Sequence, residues 1–114
     1  MKTLQLVTVG SDPEEISCYL EESHGDKVLL IGFKSHTDEL ERVRRNLQRS
    51  LGVPVETRLI AEQHPEELSK TFDEILRSEA PQFDEVVLTA TAGEMSLTEK
   101  AVAEAIVRKI RVVI

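Results

Sequence analysis

The stretch VVLTATAGEMSLTEKAV, residues 86–102, decides the fold. It opens as an unbroken apolar run of the kind a strand buried on both faces needs, and it closes with apolar residues at helical spacing. Between the two lies TATAGEM, where Ala90, Ala92 and Gly93 occupy places that an ordinary connection fills with bulkier polar residues. A strand that passes straight into a helix is half of a β-α-β unit, and small side chains at the junction leave its main chain open to close approach.

Working outward from it, the same alternation recurs along the chain. LQLVTV (4–9) reads as a strand followed by the helical pattern DPEEISCYLEESH, with Ile16, Tyr19 and Leu20 on one face. KVLLIGF (27–33) is a second strand, and the helix after it carries Leu40, Val43, Leu47 and Leu51, with Gly52 as its stop. VPVETRLI (53–60) alternates more than the others, which places it toward an edge. A third helix follows, with Leu68, Phe72 and Leu76 inward, then EVVLT (85–89), the helix SLTEKAVAEAIVRK, and a closing strand IRVVI. Short loops and the absence of a hairpin dipeptide imply parallel strands joined by right-handed crossovers. The expectation is a single domain over 1–114, a three-layer α/β sandwich whose parallel sheet has the order 3-2-1-4-5 and helices on both faces.

Composition narrows the function. The 114 residues are 40% hydrophobic but only 4% aromatic, so the core has to be aliphatic, as in a helix-covered parallel sheet. A formal net charge of −7 argues against direct reading of a nucleic-acid duplex, because such affinity rests on Lys and Arg neutralising phosphates. A small anion held by a few main-chain N–H groups is still permitted. With one cysteine, Cys18, and no apolar run of membrane-spanning length, the chain is expected to be cytoplasmic and to lack a membrane partner.

In open α/β sheets ligands bind beyond the carboxyl ends of the strands, where the strand order reverses. For the order 3-2-1-4-5 that point lies between strands 1 and 4, and these have the two most glycine-marked exits, VGSDP and TATAGEM. Gly10, Ser11 and Asp12 at the first exit, and Thr89, Thr91, Ala92, Gly93, Glu94 and Met95 at the second, are therefore the candidate ligand-binding residues. The second strand's exit adds Lys34, the best-placed cation, followed by Ser35, His36 and Thr37. Read conservatively, Lys34 is a solvated loop lysine and His36 a surface histidine before a helix. Ser96 and Glu99 have the S-x-x-E spacing of a capping box.

Several chemistries are set aside. No cysteine pair, HExxH or His/Asp ladder suggests a metal, and no GxSxG elbow, GxGxxG or Walker pattern suggests a hydrolase, dinucleotide cofactor or nucleoside triphosphatase. No cofactor, metal or catalytic residue is assigned. Arg58 and His64 fit a spacing used by some ribonucleases but span a strand exit. Arg42, Arg44, Arg45 and Arg49 share the second helix with Glu39 and Glu41, where intrahelical pairing is the default.

The succession VTVGSDPEEI, KVLLIGFKSHTDELERVRRNLQ and VVLTATAGEMSLTEKAV resembles the CARF domain, the CRISPR-associated Rossmann-like fold, and is most similar to the sensor half of CRISPR-associated transcription regulators. In that family the fourth strand ends in a signature close to TGGTKxM. Ungapped, Thr89, Met95 and Ser96 fall in register; a shift of two instead sets Thr91, Ala92 and Gly93 on T-G-G. In both, the basic residue of the signature is absent and Glu94 stands near its place. The resemblance implies a homodimer that binds a cyclic oligoadenylate across its two-fold axis and regulates transcription or an effector in antiviral defence. The helix after TATAGEM, with Ala101, Val102, Ala105 and Ile106, is expected to supply part of the dimer face. The chain is expected to be a minimal sensor or a fragment lacking a C-terminal effector domain. Two alternatives stay open: a metal-independent ring nuclease cleaving the same ligand, disfavoured by the missing lysine, and a flavodoxin-like mononucleotide-binding module.

Overall fold

A computed structural model describes residues 2–9, 20, 25–61, 64, 66–89 and 95–113 of the chain. Its strands are β1 (Thr3–Thr8), β2 (Lys27–Phe33), β3 (Val55–Ile60), β4 (Glu85–Thr89) and β5 (Arg111–Val113). They form one sheet of order β3-β2-β1-β4-β5 in which every neighbouring pair is parallel, the arrangement the β-α alternation requires. Three helices are described: α1 (Thr37–Leu51), α2 (Glu67–Ser78) and α3 (Met95–Val107). The expected helix with Ile16 and Tyr19 lies outside the described residues except for Leu20, which is helical and fully buried.

Burial follows strand position. The middle strands β1 and β2 each bury five consecutive residues, because helices cover both their faces, whereas β3 at the edge reads buried only at its two ends. Alternate residues feed two cores. Leu4, Leu6, Leu29, Ile31 and Leu88 meet α2 and α3 through Leu68, Phe72, Leu97 and Ala101. Val7, Val9, Val28 and Leu30 meet α1 and Leu20 on the other side. In α2 the third inward residue is Ile75, fully buried, while Leu76 packs at the margin of the core; the i, i+4, i+7 stripe through Leu68 and Phe72 reaches 75 before 76.

Two glycines shape the α1 side. A Cβ on Gly32 would come within 2.7 Å of Leu40 Cδ1, so its absence lets the first turns of α1 lie directly on β2. Gly52 ends α1 in the left-handed region at φ 69°, and its N–H closes the last turn on the Gln48 carbonyl.

At the amino edge of the sheet two aspartates hold β1 level with its neighbours. Thr3 N–H donates to Asp26 Oδ2 (2.7 Å) while Asp26 N–H donates to the Thr3 carbonyl (2.8 Å). Lys2 and Asp84 make the corresponding pair on the β4 side, each at 2.8 Å. With the starts of the strands pinned, the heights at which β1 and β4 end are pinned too. No helix among the described residues is long and apolar enough to cross a membrane.

Candidate functional site

The carboxyl edge of the sheet is where the site was expected, and the strand register defines it. β1 pairs with β4 from Thr3↔Glu85 to Val7↔Thr89, so the chain leaves the two strands side by side, after Val9 and after Thr89. On the other side of β1, Val9 N–H donates to the Ile31 carbonyl at 2.8 Å, and β2 then runs on to Phe33. Three exits, in the order β2, β1, β4, thus open on one edge.

Beneath them the sheet turns polar. Thr8, Thr89 and Gln5 are the buried polar residues of the described chain, and all three lie on the two strands that meet at the switch. Gln5 Nε2 donates to Thr89 Oγ1 at 2.8 Å, while its Oε1 accepts from Gly25 N–H at 2.9 Å. On the opposite face Thr8 and Thr98 share a hydrogen bond of 3.1 Å between their hydroxyls, tying the end of β1 to the first turns of α3. A buried amide or hydroxyl left unmatched is destabilising, so each group is paired and the last residues of both strands are held rigidly. Neither Gln5 nor Thr98 was singled out from sequence. The one signal was Gln5 itself, a long polar residue inside an otherwise apolar strand.

Of the expected site residues, Gly10, Ser11, Asp12, Thr91, Ala92, Gly93 and Glu94 lie outside the described residues. Thr89 is 1% exposed and already serves Gln5 as acceptor, which makes it a support of the edge. Met95 opens α3, one residue before the helix start that Ser96 and Glu99 imply. Lys34 is exposed at the head of a single 3-10 turn, Lys34–His36, which is held by the Thr37 hydroxyl donating to the Lys34 carbonyl at 2.5 Å. No ion pair among the described residues engages its ammonium. His36 differs from the surface histidine expected: it is half-buried, and its Nδ1 is fully enclosed with no hydrogen-bond partner among the described residues.

Other charges are committed elsewhere. Arg44 pairs with Glu41 within α1, and that hydrogen bond holds the Glu41 carboxyl below its ordinary value. Arg58 pairs with Glu79 while His64 Nδ1 lies within hydrogen-bond distance of Glu66, so their sequence spacing brings together no joint site among the described residues. An open trough of about 610 Å3 lies at the opposite, amino edge, lined by Lys27, Arg44, Gln48, Gly52, Pro54 and Glu56. It is the poorer site, because its charges neutralise one another: Lys27 bonds Glu56 at 2.7 Å and Glu79 at 2.9 Å. No cluster of potential metal ligands occurs among the described residues.

No protein-family model matches the chain, and no curated protein sequence matches it. Solved structures do. Can2 from Sulfobacillus thermosulfidooxidans in complex with cyclic tetra-adenylate superimposes with a TM-score of 0.77 at 14% identity, over 96% of this chain and 31% of that one. Enterococcus italicus Csm6 bound to cyclic hexa-2′-fluoro-hexa-dAMP gives 0.71 at 14% identity, over 97% and 32%. An NAD+-bound xylitol dehydrogenase gives 0.66 at 14% identity, over 96% and 51%. The chain spans about a third of the length of the first two proteins. At such identities the likeness establishes the Rossmann-like α/β architecture and nothing finer.

Proposed function

We propose that this chain is a CARF-type sensor domain that binds a cyclic oligoadenylate at the carboxyl edge of its sheet and, as a homodimer, regulates transcription or an effector in CRISPR-associated antiviral defence. The observation that carries the reading is the adjacency of β1 and β4, with Val7 opposite Thr89, so that the two strands from which the glycine-marked segments continue end side by side. The higher TM-scores with two proteins that hold cyclic oligonucleotides than with the dehydrogenase agree with it. A cyclic oligoadenylate presents phosphates, ribose hydroxyls and adenine edges on a compact ring. These suit main-chain amides, small hydroxyls and close approach better than they suit a basic groove, and the acidic chain offers the former. Gly10, Ser11 and Asp12 from one exit and Thr91 to Met95 from the other are the proposed contacts, with Lys34 as the cation for a phosphate and Thr89 as the support beneath.

Of the four α3 residues expected to supply part of the dimer face, Ile106 is the one that stays exposed. Ala101 and Ala105 are fully buried against the sheet and Val102 packs on the same core, because residues four apart on a helix share a side. The large hydrophobic side chains that α3 leaves outside are Ile106, 65% exposed, and Val107, 77% exposed. They lie about 18 Å along the helix from its start. A dimer that closes over the ligand therefore has an interface running the length of α3.

Incubation with cyclic tetra- and hexa-adenylate, followed by separation of bound and free nucleotide, tests the reading. Intact ring retained on the protein supports the sensor. Linear products would favour the ring-nuclease alternative, and no retention of either ring would overturn both.

A further inference from the structure

His36 ends the turn that follows β2, and its Nδ1 is the one buried side-chain polar atom without a hydrogen-bond partner among the described residues. A neutral imidazole carries its proton on one nitrogen and a lone pair on the other. Whichever form His36 adopts, Nδ1 is left with an unmatched donor or an unmatched acceptor in a place water does not reach. Such a group lowers stability relative to an apolar ring of similar shape, and folds keep features of this kind chiefly where something outside their own contacts uses them. The position supplies the use. β2 lies beside β1, so the turn stands on the same carboxyl edge as the β1 and β4 exits, two residues from the ammonium of Lys34.

We propose that His36 is a further ligand-reading residue of this edge: on ligand arrival its ring turns, and Nδ1 exchanges a hydrogen bond with a ribose 2′-hydroxyl. The inference rests on the edge being a nucleotide site. A hydroxyl is the partner that fits, because it both donates and accepts and so completes either tautomer, whereas a phosphate oxygen completes only one. The 2′-hydroxyl is also the group by which a protein separates ribonucleotide from deoxyribonucleotide ligands. His36 would then supply selectivity while Lys34 supplies attraction.

The test compares the wild type with His36→Phe and His36→Asn, using cyclic tetra-adenylate and its 2′-fluoro counterpart, which retains a ribose-like sugar shape but has no hydroxyl donor. The wild type is expected to prefer the hydroxylated ring by about tenfold, the scale of one hydrogen bond. His36→Phe is expected to melt at or above the wild-type temperature yet lose that preference, and His36→Asn, whose amide overlays the Nδ1 position, to recover part of it. A His36→Phe protein that melts lower and keeps the wild-type preference would make the histidine purely structural and overturn the inference alone. A wild type that binds neither ring would overturn the nucleotide site and the inference together.

Discussion

Gln5 is the residue on which the geometry of the edge turns. Its amide reaches from β1 to the Thr89 hydroxyl on β4 and to the Gly25 N–H, and the two ends of the contact with Thr89 are 84 residues apart. Replacement by leucine, Gln5→Leu, leaves the buried Thr89 oxygen without its donor. It is expected to destabilise the fold by about 1–3 kcal/mol, read from urea unfolding, and to weaken ligand retention as well. Gly32 makes a different demand. Gly32→Ala places a methyl against Leu40, which is itself fully buried, so overpacking of about 1–3 kcal/mol is expected in the same measurement. Periodicity foretold neither. Gln5 interrupts an apolar strand without showing what it bonds, and Gly32 is an ordinary strand residue until Leu40 is laid over it.

Among elements, α2 and α3 are joined by one side chain. Arg108, just past the end of α3, bonds Asp73 at 2.9 Å, the Ser69 carbonyl and hydroxyl at 3.2 and 3.0 Å, and Glu104, and its guanidinium lies 5.8 Å from the centre of the Phe72 ring. This clamp fixes the far end of α3, the helix that follows β4 in the chain. Arg108→Met keeps the aliphatic stem and removes the fork. An expected loss of about 1–2 kcal/mol by urea unfolding would be accompanied by faster amide exchange in α3.

β2 and β3 are linked by Lys27 and Glu56, and here the link is to pH. The hydrogen bond from Lys27 holds the Glu56 carboxyl below its ordinary value of 4.5 despite the opposing effect of burial. A carboxyl lowered in the folded state adds stability that is present above its unfolded value and lost as pH falls through the folded one. For Lys27 burial alone would lower the ammonium, but Glu56 and Glu79 outweigh it and raise the value above 10.5. Its contribution is whole below 10.5 and disappears as pH rises through the raised value. Lys27→Met is therefore expected to flatten the decline in melting temperature below pH 4.5 and the decline at the alkaline end, as read by thermal melts across the range.

For the whole molecule, the question is what the exposed end of α3 meets. If the proposed dimer uses it, Ile106→Glu combined with Val107→Glu should yield a monomer by analytical ultracentrifugation, with an unchanged melting temperature at low concentration and much weaker retention of the ring. A wild type that sediments as a monomer both with and without ligand would leave the two-fold part of the proposal without basis. Charge acts at this scale too: in an acidic chain Lys34→Ala is expected to reduce affinity and to flatten its dependence on salt if the amine meets phosphate.

The order of the strands, their parallel sense and the edge position of β3 could be read from the chain alone, because each rests on local rules: apolar period, short loops and the handedness of crossovers. The pairing of β1 with β4 followed from that reasoning combined with the placing of glycines, and the register bears it out. What only the tertiary structure decided were the contacts between segments distant in sequence: Gln5 with Thr89, Thr8 with Thr98, Arg108 across α2, and the unmatched nitrogen of His36. A periodic pattern tells which side of an element turns inward. It does not tell which polar atom from another element will be waiting there, since that depends on where the folded chain brings the other element to rest.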